Sequence, residues 1–122
     1  LLKLKPSIVL TYEPQGVSGH TDHIVVSMAT MFAVDKLKFV KEVWQFCNLR
    51  KDTKQDYFVY TPKGYKKSEI NKVVDVSEVW DAKLAAMKAH KSQSKDFEKI
   101  LKFLEREPKQ EHFLLLNLPN VS

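Results

Sequence analysis

The chain has one cysteine, Cys47, among its 122 residues. A single thiol excludes an internal disulfide and a zinc site built from several thiolates, and makes a reducing cytoplasm the default compartment. No apolar run approaches the roughly 20 residues that a membrane-spanning helix needs. The opening LLKLKPS lacks the apolar stretch and small-residue cleavage site of a secretory signal. Glycine is scarce: there are three, and two of them fall in one short loop, EPQGVSG. An initiating methionine is also missing, since residue 1 is Leu. The chain is therefore expected to be part of a longer product.

Negative charge is in deficit. The net charge is +5 and the pI is near 9.3. The lysines, however, are scattered from Lys3 to Lys109 with acids between them. That pattern describes a solvated basic surface, and no nucleic-acid partner is expected.

What is present is an alternation of strand and helix patterns. SIVLTY, residues 7–12, is apolar and β-branched, follows Pro6, and predicts a buried strand. EPQGVSG is a loop punctuated by Pro14, Gly16 and Gly19. From Thr21 to about Val34, Ile24, Met28, Met31 and Phe32 recur at helical spacing, with Thr21 or Asp22 as the cap. Residues 38–47, KFVKEVWQFC, fit either a helix or a strand. DYFVYT (56–61), KVVDV (72–76) and HFLLLNL (112–118) read as strands. Ser77 is expected to cap a helix ending near His90. A further helix opens at Ser92 or Ser94 and stops at Pro108. The fold class is α/β, a Rossmann-like, partly parallel sheet with flanking helices. A doubly wound sheet usually has about five or six strands, so residues 1–122 read as the C-terminal portion of a single domain.

The stretch Gly19-His20-Thr21-Asp22-His23 holds two of the four histidines. It follows the carboxyl end of a strand, where open α/β sheets place their ligands. A neutral imidazole there can ligate zinc, and the helix N-terminus disfavours a positive charge on His23. Asp22 can accept a hydrogen bond from one ring and set its tautomer. The other ring can then act as an acid or charge stabiliser. The same spacing also suits a helix cap with a surface side chain. It supplies too few ligands for a catalytic zinc, which usually takes three from the protein. Among other candidates, Glu13 could support the loop or reach a sugar hydroxyl but reads first as a solvated loop acid. Trp44 and Trp80 could stack on sugar faces but read first as packing anchors, and Cys47 reads as a packed small hydrophobe.

VLTYEPQGVSGHTDHIVVSMA resembles the second signature of the LmbE/PIG-L-like de-N-acetylases, in which a strand leads to Gly-His-Pro-Asp-His and a helix. DVSEVWDAKLAAMKAHKSQ resembles a later segment of that family, ending in His-x-Ser-Gln, here His90, Ser92 and Gln93. The resemblance covers roughly residues 5–116. It implies a zinc-dependent hydrolase that removes the acetyl group from an N-acetylglucosamine-type substrate. His23 would then ligate Zn2+, His20 would stabilise the oxyanion or donate a proton, and Asp22 would orient His20. Ser92 and Gln93 would border the substrate, or else cap and pack the helix that follows them. Any membrane contact would come through a lipid-linked substrate. The family's other motif, His-Pro-Asp-Asp-Glu, supplies its remaining ligands and its base. It does not occur in this sequence, so this segment alone is expected to be inactive. The alternative is a non-catalytic binding or scaffold relative that has lost the metal. Thr21 stands where the family usually has Pro, and Ser18 where some relatives carry Tyr.

Overall fold

The structure is a computed structural model that describes residues 1–50 and 62–119. Its elements run β1 (Ile8–Tyr12), a short turn α1 (Gly16–Gly19), α2 (Thr21–Asp35), β2 (Glu42–Cys47) and β3 (Lys72–Asp75). A 3-10 turn (Ser77–Val79), α3 (Trp80–Ala89), a second 3-10 turn (Lys91–Gln93), α4 (Ser94–Leu104) and β4 (Gln110–Asn117) complete the order. The expected strand at 56–61 lies outside the described residues.

The four strands form one mixed sheet in the order β1-β2-β4-β3. β1 pairs parallel with β2, from Ile8 opposite Glu42 to Tyr12 opposite Phe46. β2 pairs antiparallel with β4, from Glu42 opposite Asn117 to Cys47 opposite His112. A partly parallel sheet with helices beside it is the α/β architecture that the strand–loop–helix pattern predicts. Parallel neighbours need a crossover, and α2 provides it between β1 and β2.

The ambiguous segment 38–47 is a strand from Glu42 onward. Val43, Gln45 and Cys47 are buried, and the residues between them are half-buried. A period of two with Gln45 on the inner face explains why the apolar pattern alone left helix and strand open. Before it, Val40 N–H donates to the Leu37 carbonyl, and Lys41 N–H donates to Ser7. Val34, Val40 and Val43 form the core, packed with Val9, Met31, Leu37, Phe39, Leu116 and Leu118.

Helix α2 shows another difference. Met28 and Phe32, expected on its inner face, are 66% and 72% exposed, while Ser27 is buried. The helix is apolar on more than one side, so the tertiary contacts choose the face. Ser27 and Thr30 face the sheet, and the Thr11 hydroxyl donates to Thr30 Oγ1 at 3.3 Å. Neither Thr21 nor Asp22 caps α2 through its side chain; His20, in an extended conformation, occupies the N-cap position.

By their contacts the residues divide into two compact units, 1–72 with 112–122, and 73–111. In the second unit the expected Ser77 cap is not made. Asp75 accepts the Ser77 N–H at 2.8 Å instead, and hydrogen bonding from the Ser77 side chain first, and then from this N–H, holds its carboxyl below the usual range. Trp80 is buried, with the ammonium groups of Lys83 and Lys109 5.0 and 5.6 Å from its ring. Lys83 also pairs with Glu111. No helix among the described residues is long and apolar enough to cross a membrane.

Candidate functional site

The chain leaves the carboxyl end of β1 through Glu13-Pro14-Gln15 and reaches α2 by a tight turn. Gly16 has φ +70° and Gly19 φ +80°, both in the region that glycine tolerates. Gly16 is constrained by space as well. A Cβ there would sit 2.8 Å from Ile24 Cγ1 and 3.1 Å from both His23 Cβ and the Ile24 nitrogen. Val17 is the surprise, at φ 62° and ψ −53°. These values fall near a strained γ-turn, which a β-branched side chain strongly disfavours. Such a residue costs on the order of 1–3 kcal/mol and persists only where its surroundings hold it.

Glu13 holds it. Its side chain is 1% exposed, which overturns the expectation of a solvated loop acid. Val17 N–H donates to Oε1 at 2.5 Å, and Gln15 N–H donates to Oε2 at 2.7 Å. The Tyr65 hydroxyl also donates to Oε2, at 2.7 Å. A buried carboxylate is tolerated when donors replace its water. Here the chain folds back over Glu13 to supply them. The Glu13 N–H meanwhile donates to the Phe46 carbonyl, which extends the β1–β2 pairing.

Tyr65 comes from far along the sequence, and two backbone bonds deliver it. Its N–H donates to the Asn48 carbonyl at 2.9 Å, and its carbonyl accepts the Arg50 N–H at 2.7 Å. Gly64, at φ +71°, permits the approach, since a Cβ there would lie 2.7 Å from the Asn48 carbonyl oxygen. Burial first, and then the adjoining Glu13 carboxylate, push the Tyr65 phenol well above its ordinary range, so it remains a donor. Burial and Glu13 likewise push the Cys47 thiol up to about 11.

The two histidines of GHTDH come together. Their ring centroids are 5.2 Å apart. His23 is half-buried and stacks on Tyr12, with centroids 4.1 Å apart and planes 9° from parallel. Its Nδ1 lies 3.1 Å from the Gly16 carbonyl oxygen. A carbonyl only accepts, so Nδ1 carries the hydrogen and the neutral ring keeps its lone pair on Nε2. His20 is exposed, and its Nδ1 lies 2.6 Å from Ser18 Oγ. That hydroxyl in turn lies 3.5 Å from the Gly16 carbonyl oxygen. Asp22 is exposed in the first turn of α2.

Ser92 and Gln93 lie in the 3-10 turn Lys91–Gln93 of the second unit, after His90 at the end of α3. Ser92 is exposed. Sequence reasoning weighs Glu13 as a support of the loop but prefers a solvated acid, notes Ser18 only as a departure from the family pattern, and does not single out Tyr65. For Glu13 a local signal existed, an acid two residues before the first loop amide it binds. For Tyr65 none did, because its partner is 52 residues away.

Among the described residues, no group of three or more His, Cys, Asp or Glu converges in a way that could hold a metal ion. His23 offers one lone pair, which does not fit a zinc site by itself.

No family model matches the chain, and no solved structure matches it significantly. Curated relatives do. A 1D-myo-inositol 2-acetamido-2-deoxy-alpha-D-glucopyranoside deacetylase from Mycobacterium sp. (strain JLS) is 31% identical over 104 residues, covering 73% of this chain and 34% of that protein. One of the same description from Corynebacterium glutamicum (strain R) is 32% identical over 100 residues, covering 76% and 34%. Another from Segniliparus rotundus is 28% identical over 148 residues, covering 95% and 47%. The chain thus spans between about a third and a half of the length of these relatives, and it is similar over most of its own length to deacetylases of an acetamido-sugar linked to inositol.

Proposed function

We propose that the chain is the C-terminal portion of an LmbE/PIG-L-like N-deacetylase acting on an N-acetylglucosamine-type sugar. The observation that carries this reading is the state of His23. Its Nδ1 hydrogen is engaged by a backbone carbonyl, and its Nε2 lone pair remains available at the carboxyl end of a parallel strand. The similarity to sugar deacetylases supports the same reading.

The reaction is amide hydrolysis. Water adds to the acetyl carbon, the C–N bond breaks, and acetate and the free amine leave with the proton redistributed between them. His20 sits beside His23 with its Nδ1 against Ser18, and is proposed to stabilise the developing oxyanion or protonate the departing amine. A donor of that kind is typically worth about 3–4 kcal/mol in the transition state. Asp22, two residues further on, is proposed to orient His20. Ser92 and Gln93 are proposed to contact the sugar. Zn2+ is the metal expected in the intact protein, with His23 as one ligand and the others from outside the described residues. When bound, such an ion would supply Lewis acidity toward the acetyl carbonyl.

The test is release of free amine from an N-acetylglucosaminyl-inositol substrate by the full-length protein. Wild type is expected to turn over and His23→Ala to lose at least about a hundredfold. Full activity in His23→Ala refutes the assignment. No turnover by the wild type supports the scaffold alternative.

A further inference from the structure

We propose that Glu13 and Tyr65 are positioning residues for His23, acting together through a single peptide plane. The peptide between Gly16 and Val17 is rigid and trans, so its N–H and its C=O point in opposite directions and cannot turn separately. On one side, Val17 N–H donates to Glu13 Oε1 at 2.5 Å. On the other, the Gly16 carbonyl accepts from His23 Nδ1 at 3.1 Å. The carboxylate grips one end of the plane, and the imidazole reads the other.

Three features make this a built device rather than an incidental loop contact. Glu13 is fully buried, and the two donors besides Val17 that it accepts from hold it at fixed distances. Val17 adopts a backbone conformation it would not choose for itself, so the plane is held there by its partners. Tyr65 is itself fixed by backbone bonds to Asn48 and Arg50, which continue from the end of β2. The sheet therefore dictates where the phenol lies, the phenol and the Gln15 amide fix the carboxylate, and the carboxylate fixes the carbonyl. The outcome is a His23 ring held as the Nδ1–H tautomer with Nε2 unprotonated. Partners of this kind to a functional histidine commonly matter about 10–100-fold for activity or metal affinity.

This proposal rests on the N-deacetylase reading only for its consequence in turnover. The tautomer itself can be read without substrate or metal. In the full chain labelled with 15N-histidine, two-bond proton–nitrogen correlations distinguish Nδ1–H from Nε2–H at His23. Wild type is expected to show Nδ1–H. Tyr65→Phe removes only the hydroxyl and is expected to give a mixture of tautomers. Glu13→Gln replaces one acceptor oxygen by an amide nitrogen and is expected to do the same. Val43→Ala, a core change away from the loop, is expected to keep Nδ1–H although it lowers stability. In turnover, Tyr65→Phe is expected to lower kcat about 10–100-fold with KM little changed. A folded Tyr65→Phe protein whose His23 remains wholly Nδ1–H overturns the proposal, even if Glu13→Gln fails to fold. An inactive full-length wild type, alongside the expected tautomer shifts, overturns the deacetylase reading but leaves the positioning intact.

Discussion

Replacing Gly16 by alanine tests the turn where backbone geometry and side-chain space act together. The backbone is at φ +70°, which costs an L-residue about 1–2 kcal/mol. The new methyl would lie 2.8 Å from Ile24 Cγ1, and that side chain can shift. It would also lie 3.1 Å from His23 Cβ and from the Ile24 nitrogen. Those two belong to the first turn of α2 and cannot yield separately, since Ile24 N–H donates to the His20 carbonyl. Overpacking of this kind adds about 1–3 kcal/mol. Reduced freedom of the unfolded chain returns roughly 0.4–1 kcal/mol. The net destabilisation is about 1–4 kcal/mol, a large part of the roughly 5–15 kcal/mol that holds a domain together. Urea unfolding followed by the fluorescence of Trp44 and Trp80 measures it as a lower midpoint at unchanged slope. The displaced His23 is expected to lose its Nδ1–H preference as well. A midpoint that moves by less than about 0.5 kcal/mol, as for an ordinary surface change, together with an unaltered tautomer, refutes the close approach of the turn to α2.

Three further outcomes follow from the core. The Cys47 thiol is held up to about 11 against an ordinary 9.0, so the folded state binds its proton more tightly than the unfolded one. The stability it contributes is complete below pH 9.0 and is lost as the pH rises toward about 11. Stability is therefore expected to fall with a steeper slope over that window than in Cys47→Ala, while Tyr65, also raised, maintains part of the slope in both. Native protein is expected to react with thiol reagents only on unfolding, and immediate labelling would contradict the burial of Cys47. Val43→Ala empties a fully buried position beside Val34 and Val40. It is expected to cost about 2–3 kcal/mol in urea unfolding, from two lost methyl groups plus the cavity they leave.

The sequence by itself determined most of the element order. A β-branched run at 8–12 and a leucine-rich run at 112–117, bounded by proline or glycine, read as strands, and the helical spacing after Thr21 reads as α2. It also marked the two histidines, since their chemistry and their place after a strand are local facts. Tertiary structure decided what depended on distant partners. Within residues 38–47, Glu42–Cys47 became a strand because β1 and β4 were there to pair on either side of β2. Helix α2 turned Ser27 inward and Met28 and Phe32 outward because the helix packs on β1 by one face only. Glu13 is polar by composition yet buried by context: its charge is tolerable only once two loop amides and a phenol 52 residues away converge on it. Local pattern reports what a residue prefers. Three-dimensional closure determines which neighbours replace its water, and in this protein that replacement sets the proton on His23.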